Sequence, residues 1–284
     1  MSHVHDPTRG ESDARSGGRR GGRPRFKRNR PCRLRRMATD AREDKLAESG
    51  FTAPELTLDA AVSALATDGW ATTCPVVAPE LLDQLCSELG GIEPRAGIRN
   101  LLDHSPAARA LARSAAVRHI PEALLGKGCF VTRAILFDKT PDSNWKVPWH
   151  QDVAIAVAAR HDEPGFGPWS VKDGVVHVQP PAEVLAGMVT VRVHLDDCAA
   201  DNGPVRVLPR THSLGKLSQD QIEHLRGKVT EVACTARRGG LLAFRPLLLH
   251  ASSASTSPRR RRVAHFEFAA ASLPGALDWQ LRWS

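Results

Sequence analysis

The sequence predicts a mainly β protein with N-terminal helices, folded as a double-sheet jelly roll with the helices packed on one face. Three observations carry this. Apolar residues recur at helical spacing only early in the chain, through Leu58, Ala61, Val62, Leu65 and Ala66 and then through Leu82, Leu85 and Leu89. From residue 128 onward the texture changes to short β-type runs divided by Gly, Pro, Asp and Asn. Helices therefore come first and about eight strands follow at irregular spacing, which argues against alternating βαβ units.

The elements follow in order. Gly69 closes the first helix, and WATTCPVV reads as a strand that ends before Pro79, a residue suited to the first turn of a second helix. Ser105-Pro106 opens a third helix in the same way. The strand candidates are CFVTRAILFDK, WKVPWHQDVAIAV, GMVTVRVHLDD, PVRVLP, KVTEVAC, GLLAFRP, LLLHAS and RRVAHFEFA. Between the second and third lies an insert at about 159–182, rich in Gly and Pro. A long loop inside a compact domain reads as a lid or binding loop rather than filler.

The net charge of +8 resembles a nucleic-acid signal until it is divided along the chain. Residues 1–36 carry 12 Lys and Arg against 3 Asp and Glu, a net +9, which leaves −1 for residues 37–284. The Gly/Arg-rich tail is expected to be disordered, and residues 37–284 to form a single domain. Two readings of the tail stand: Met37 is the real start, or the tail is a basic arm that touches nucleic acid or anionic surfaces. The six cysteines show no CxxC spacing and read as reduced, mostly buried thiols. With no secretory signal and no apolar run of membrane-spanning length, the expectation is a soluble, cytoplasmic protein.

One motif carries chemistry. In His150-Gln151-Asp152 a two-residue step along a strand returns to the same face, so both end residues can serve one ion. Two histidines and a carboxylate on one side of an octahedron are the ligand set of non-haem Fe(II) oxygenases, because three positions stay open for co-substrate and O2. The triplet is weak evidence alone, since 12 His and 18 Asp make about one such match expected by chance. A second one, His194-Leu195-Asp196, does occur. For the distal histidine His212, His250 and His265 are all candidates, with His250 favoured because the apolar strand LLLH ends on it.

The ordered segments PWHQD, DNGPVRVLPRTH, RPLLLHASS and RRVAHFEFA resemble the phytanoyl-CoA dioxygenase family of Fe(II)/2-oxoglutarate oxygenases, over roughly residues 57–270. The resemblance implies a double-stranded β-helix, cupin-like core. It selects His150 and Asp152 over His194 and Asp196, because the metal-binding HxD precedes the NG…LP-x-H segment, and it makes His250 the distal ligand. It also implies that Arg261, 11 residues after that histidine, binds the far carboxylate of 2-oxoglutarate together with Ser252. An Arg suits the role because its planar fork grips a carboxylate through two donors. Strand alternation agrees, placing Phe266 and Phe268 on the face opposite Arg261, and Arg259, Arg260 and Arg262 read as a solvated basic turn. Arg133 and Arg192 fall on inward strand faces and read as binding either 2-oxoglutarate or an anionic group of the substrate, with structural ion pairs as the alternative. Gln151 reads as structural.

The implied reaction couples decarboxylation of 2-oxoglutarate to hydroxylation of a small-molecule substrate, anionic or polar, with release of succinate and CO2. Desaturation or cyclisation are variants; an intact Asp152 disfavours halogenation. The chain departs from the family at Arg210, where LPGTH or LPGSH is usual, which implies a different turn or an outward-facing charge. Competing readings are a cupin-like metal or ligand binder without catalysis, a nucleic-acid-binding protein acting through its tail, and a metal-dependent hydrolase.

Overall fold

The computed structural model describes residues 51–91 and 97–284. The tail and its alternative start lie outside the described residues.

Strands β1 (Phe51–Thr52) and β2 (Glu55–Leu56) lead into helix α1 (Leu58–Asp68), whose first turn is capped by the Thr57 hydroxyl accepting from the Ala60 amide. Gly69 ends it at φ +82°, and a side chain there would collide with the His212 ring. The segment WATTCPVV is a strand only over β3 (Trp70–Thr73). Helix α2 (Pro79–Leu89) begins at its proline, and β4 (Gly97–Arg99) and α3 (Leu101–His104) follow. Ser105 then caps α4 (Pro106–Arg113) through the Ala108 amide, and α5 (Ala115–Leu125) completes the helical layer.

The β region runs through β5 (Phe130–Lys139), β6 (Val147–His150) and β7 (Ile155–Val157). The insert is not an irregular loop. It forms a hairpin of β8 (Trp169–Lys172) and β9 (Val175–Val178), followed by α6 (Ala182–Ala186), and β9 pairs with β7 in a three-stranded sheet. Strands β10 (Met188–His194) and β11 (Val205–Val207), helix α7 (Gln219–Arg226), and strands β12 (Val232–Cys234), β13 (Leu241–Phe244), β14 (His250–Ser252) and β15 (Arg261–Ala269) complete the chain.

Two sheets make the jelly roll: a seven-stranded one in the order β2-β3-β13-β10-β15-β5-β4 and a five-stranded one in the order β1-β12-β11-β14-β6. Alternation along the central strands divides the larger sheet's two faces. Val189, Val191 and Val193 of β10 and Ala264, Phe266 and Phe268 of β15 pack on Leu65, Leu82, Leu85 and Leu111 of the helices. Burying each phenylalanine contributes roughly 1.5–3 kcal/mol, so this face fixes the helices to the sheet. The intervening residues, Arg192 and His194 of β10 and Arg261, His265 and Glu267 of β15, fall on the other face. On β5 the register with β15 shifts at Thr132, a bulge that keeps Val131 and Ala134 on the helix side and turns Arg133 inward with Ile135, Phe137 and Lys139.

Candidate metal centre

His150 ends β6 and His250 begins β14, and the two strands pair so that these residues lie directly opposite each other. Their rings stand 4.2 Å apart between centroids. Asp152 lies just beyond the strand rather than on it. Its amide donates to the Pro246 carbonyl at 2.9 Å, so the carboxylate is returned to the histidines by the chain's turn and not by strand alternation. The His150 and His250 Nε2 atoms each lie 3.7 Å from a different Asp152 oxygen, and one donor atom from each of the three residues falls within 4.8 Å of the others. No other group of three such residues is placed this way among the described residues.

The donor atoms fit a divalent ion. Each Nδ1 sits against the carbonyl two residues upstream, Pro148 at 2.8 Å and Leu248 at 2.9 Å. A carbonyl only accepts, so Nδ1 carries the proton and Nε2 presents its lone pair to the shared point. Burial pushes the His250 pKa down to about 4, against the pull of Asp152, and keeps it neutral. Burial also opposes charge on His150 and Asp152; there the imidazole–carboxylate attraction prevails, raising the His150 pKa and holding Asp152 below the usual carboxylate range. Two imidazole nitrogens and one ionised carboxylate are a donor set for iron.

Gln151 points away and ties the motif in place. Its side-chain amide donates to the Gly215 and Leu247 carbonyls at 2.8 and 2.7 Å and accepts from the Leu217 amide at 2.8 Å.

A cavity of about 210 Å³ opens from the three residues toward Ser252, Arg192 and Arg261. Of the four consecutive arginines, three are surface side chains held in ion pairs. Arg259 pairs with Asp201, Arg260 with Asp138 and Arg262 with Asp196, at 2.6–2.8 Å. Only Arg261 turns inward. It donates to the Gly203 carbonyl, and its Nε is buried without a partner. Arg192 lies 5.1 Å over the Phe137 ring, again with an unpartnered Nε. Neither has a carboxylate partner among the described residues. Such a cavity end lacks an anion.

Arg133 faces the same cavity but is paired with Glu267, which also accepts from or shares a proton with His265 Nε2 at 3.1 Å. It lines as well a second cavity of about 400 Å³ that His150 and Asp152 share with Trp169, Ser170 and Lys172 of the insert. His194 is buried with both ring nitrogens unpartnered, while Asp196 is committed to Arg262, so the second triplet does not assemble. His212 packs at Gly69. Arg210 keeps the turn's positive φ, at +67°, so the turn is not a different one; its side chain faces outward to Asp68, the second of the two expectations. Sequence reasoning missed Glu267, Lys172 and Lys139, and saw His265 only as a ligand candidate. Two-residue steps from Arg261 reach His265 and Glu267, and the same steps from Arg133 reach Lys139.

The phytanoyl-CoA dioxygenase (PhyH) family model matches residues 65–263. The chain belongs to the phytanoyl-CoA dioxygenase family. The cupin-like jelly roll agrees with that membership. L-proline trans-4-hydroxylase of Streptomyces griseoviridis is 27% identical over 179 residues, covering 54% of this chain and 59% of that protein. The match thus spans less than two thirds of the relative. HygX of Streptomyces hygroscopicus, crystallised with nickel and 2-oxoglutarate, superposes with a TM-score of 0.55 at 16% identity over 75% of this chain and 87% of its own. EctD of S. alaskensis, with 2-oxoglutarate and 5-hydroxyectoine, gives 0.57 at 18% identity over 77% of each chain. These two are likenesses of fold. The described residues include no helix long and apolar enough to cross a membrane, and the five cysteines among them are free thiols, three of them buried.

Proposed function

We propose that this PhyH-family protein is an Fe(II)- and 2-oxoglutarate-dependent dioxygenase that hydroxylates a small, anionic molecule with release of succinate and CO2. One observation carries the reading: the His150–Asp152–His250 group and the unpaired Arg261 open into the same cavity. His150, Asp152 and His250 would hold the iron. Bound iron with 2-oxoglutarate and O2 supplies the oxidising chemistry of the family. The protein's own residues do the placing. Arg261 and Ser252 take the far carboxylate, with Arg192 beside them, in the cavity that His150, Asp152 and His250 also line. Gln151 fixes the segment between two ligands, which holds their geometry.

The substrate side is the larger cavity beneath the hairpin. Lys172 lines it with no ion-pair partner among the described residues, and burial and the nearby Arg133 and Arg99 lower its pKa. Lys172, beside the Arg133–Glu267 pair, favours a substrate with a carboxylate or similar anion, in keeping with the amino-acid substrate in the relative's name. Arg133 is therefore assigned to the substrate more than to the co-substrate. The Asp173 carboxylate at the hairpin tip holds Arg99 at 2.6 Å, which ties the insert to β4.

Succinate release tests the proposal, with Fe(II), ascorbate and 2-oxoglutarate over a panel of amino acids and other small acids, beside His150→Ala. Substrate-dependent succinate from the wild type alone is expected. Equal succinate from both proteins on every compound refutes it, and 2-oxoglutarate binding without any turnover favours a catalytically inactive binder.

A further inference from the structure

Lys139 is a buried lysine that the proposed chemistry does not use. It lies on the inner face of β5, two residues beyond Phe137, and is 1% exposed. Its Nζ donates to the Ser253 carbonyl at 2.7 Å, next to Ser252, and stands 5.2 Å from the centre of the Trp145 ring that walls the co-substrate cavity. The charged and titratable groups facing it are Arg261 of β15, Arg192 of β10 and Cys198 in the loop after β10. No carboxylate among the described residues pairs with Lys139, Arg192 or Arg261. Its outward neighbour on the strand, Asp138, is taken by Arg260.

Three buried cationic side chains thus converge on one end of a cavity whose expected ligand brings one carboxylate there. Two arginines already outweigh that charge, and guanidinium groups do not release their protons at neutral pH. The lysine is the member of the cluster that can. Resting on the reading that this end takes 2-oxoglutarate, we infer that Lys139 is a positioning residue behind Arg261 that gains a proton when the dicarboxylate arrives, so that co-substrate affinity depends on pH in the neutral range.

The charge balance is simple. In the ligand-free protein, burial together with Arg261 and Arg192 lowers the Lys139 pKa to about 7. The incoming carboxylate offsets the two arginines, favours the ammonium form, and Nζ takes one proton from solvent. The neighbours do not titrate in the same window: burial holds the His194 imidazole down at about 3 and pushes the Cys198 thiol up. The sign follows. Affinity is greatest below about pH 7, where Lys139 is already charged, and weakens above it, where the proton must be captured.

Calorimetric titration of the Ni(II)-loaded protein with 2-oxoglutarate, in two buffers of different ionisation enthalpy, reads this directly. At pH 7.2 uptake of about half a proton per ligand is expected, and Kd should rise about five- to tenfold between pH 6 and 8. Lys139→Met should abolish the uptake, flatten the profile and weaken binding severalfold at pH 6. Wild-type binding with no proton uptake overturns the inference whether or not the variant folds, as does a variant that retains the uptake. An absence of 2-oxoglutarate binding at every pH instead overturns the co-substrate reading on which the inference stands.

Discussion

Replacing Arg261 by methionine should separate binding from stability. In the ligand-free protein the guanidinium has one backbone partner, the Gly203 carbonyl, and faces Arg192 and Lys139 without an anion. Losing the hydrogen bond costs about 1 kcal/mol, and removing one of three confined cationic groups offsets it. Chemical denaturation of the apo protein should therefore give a stability within about 1 kcal/mol of wild type. Binding should suffer far more. Two charge-assisted hydrogen bonds to a carboxylate are worth about 3 kcal/mol at the low end, or about a hundredfold in Kd. At a 2-oxoglutarate concentration of one hundred times the wild-type Kd, the ligand stabilises the metal-loaded wild type by about 2.7 kcal/mol and the variant by about 0.4. For a domain of this size that is a rise in Tm of about 5–10 °C against about 1 °C. A variant that melts early yet keeps the full ligand shift would show Arg261 to be a structural residue and refute the assignment.

Further outcomes follow from the same geometry. Gln151→Leu leaves three backbone groups unpartnered and should destabilise the fold by about 3 kcal/mol in denaturant titration, with a parallel loss of bound metal. Glu267→Met should cost about 3 kcal/mol because it strands Arg133, whereas Arg133→Met with Glu267→Met should recover most of that; a double variant as unstable as the single one would show that the pair is not the cause. The double variant should still bind 2-oxoglutarate while losing substrate-dependent turnover. Lys139, with a folded pKa depressed to about 7, binds fewer protons folded than unfolded above that pH. Apo stability should thus rise as pH goes from about 7 toward 9, and Lys139→Met should remove that rise in a thermal-melt series.

What the sequence could convey divides along a physical line. Features set by local spacing were legible: Pro79 and Ser105 at helix starts, the alternation that sends Phe266 and Phe268 to the helices, and the face that Arg261 shares with the cavity. The hairpin in the insert was legible too but went unread, because Asp173-Gly174 between β-type runs is a turn signal that the surrounding glycine and proline content obscured. Features set by strand neighbourhood were not. Arg133 and Glu267 are 134 residues apart and meet only because β5 lies beside β15 in that register. Choosing between the two HxD triplets needed motif order, and the structure supplies the reason: β6 runs beside β14 and so delivers His150 to His250, whereas Asp196 is held by Arg262.

Charge shows the same division most clearly. A net of −1 over residues 37–284 says nothing about where cations lack partners. The run Arg259–Arg262 looks uniform in sequence, yet three members find Asp201, Asp138 and Asp196 while the fourth joins Arg192 and Lys139, with no carboxylate partner among the described residues. Arg259, Arg260 and Arg262 are neutralised by carboxylates, whereas Arg261, Arg192 and Lys139 have no carboxylate partner among the described residues, an arrangement suited to an anionic ligand. That cluster opens toward His150, Asp152 and His250, and this common cavity is what supports the proposal of a dicarboxylate held between a metal and an arginine.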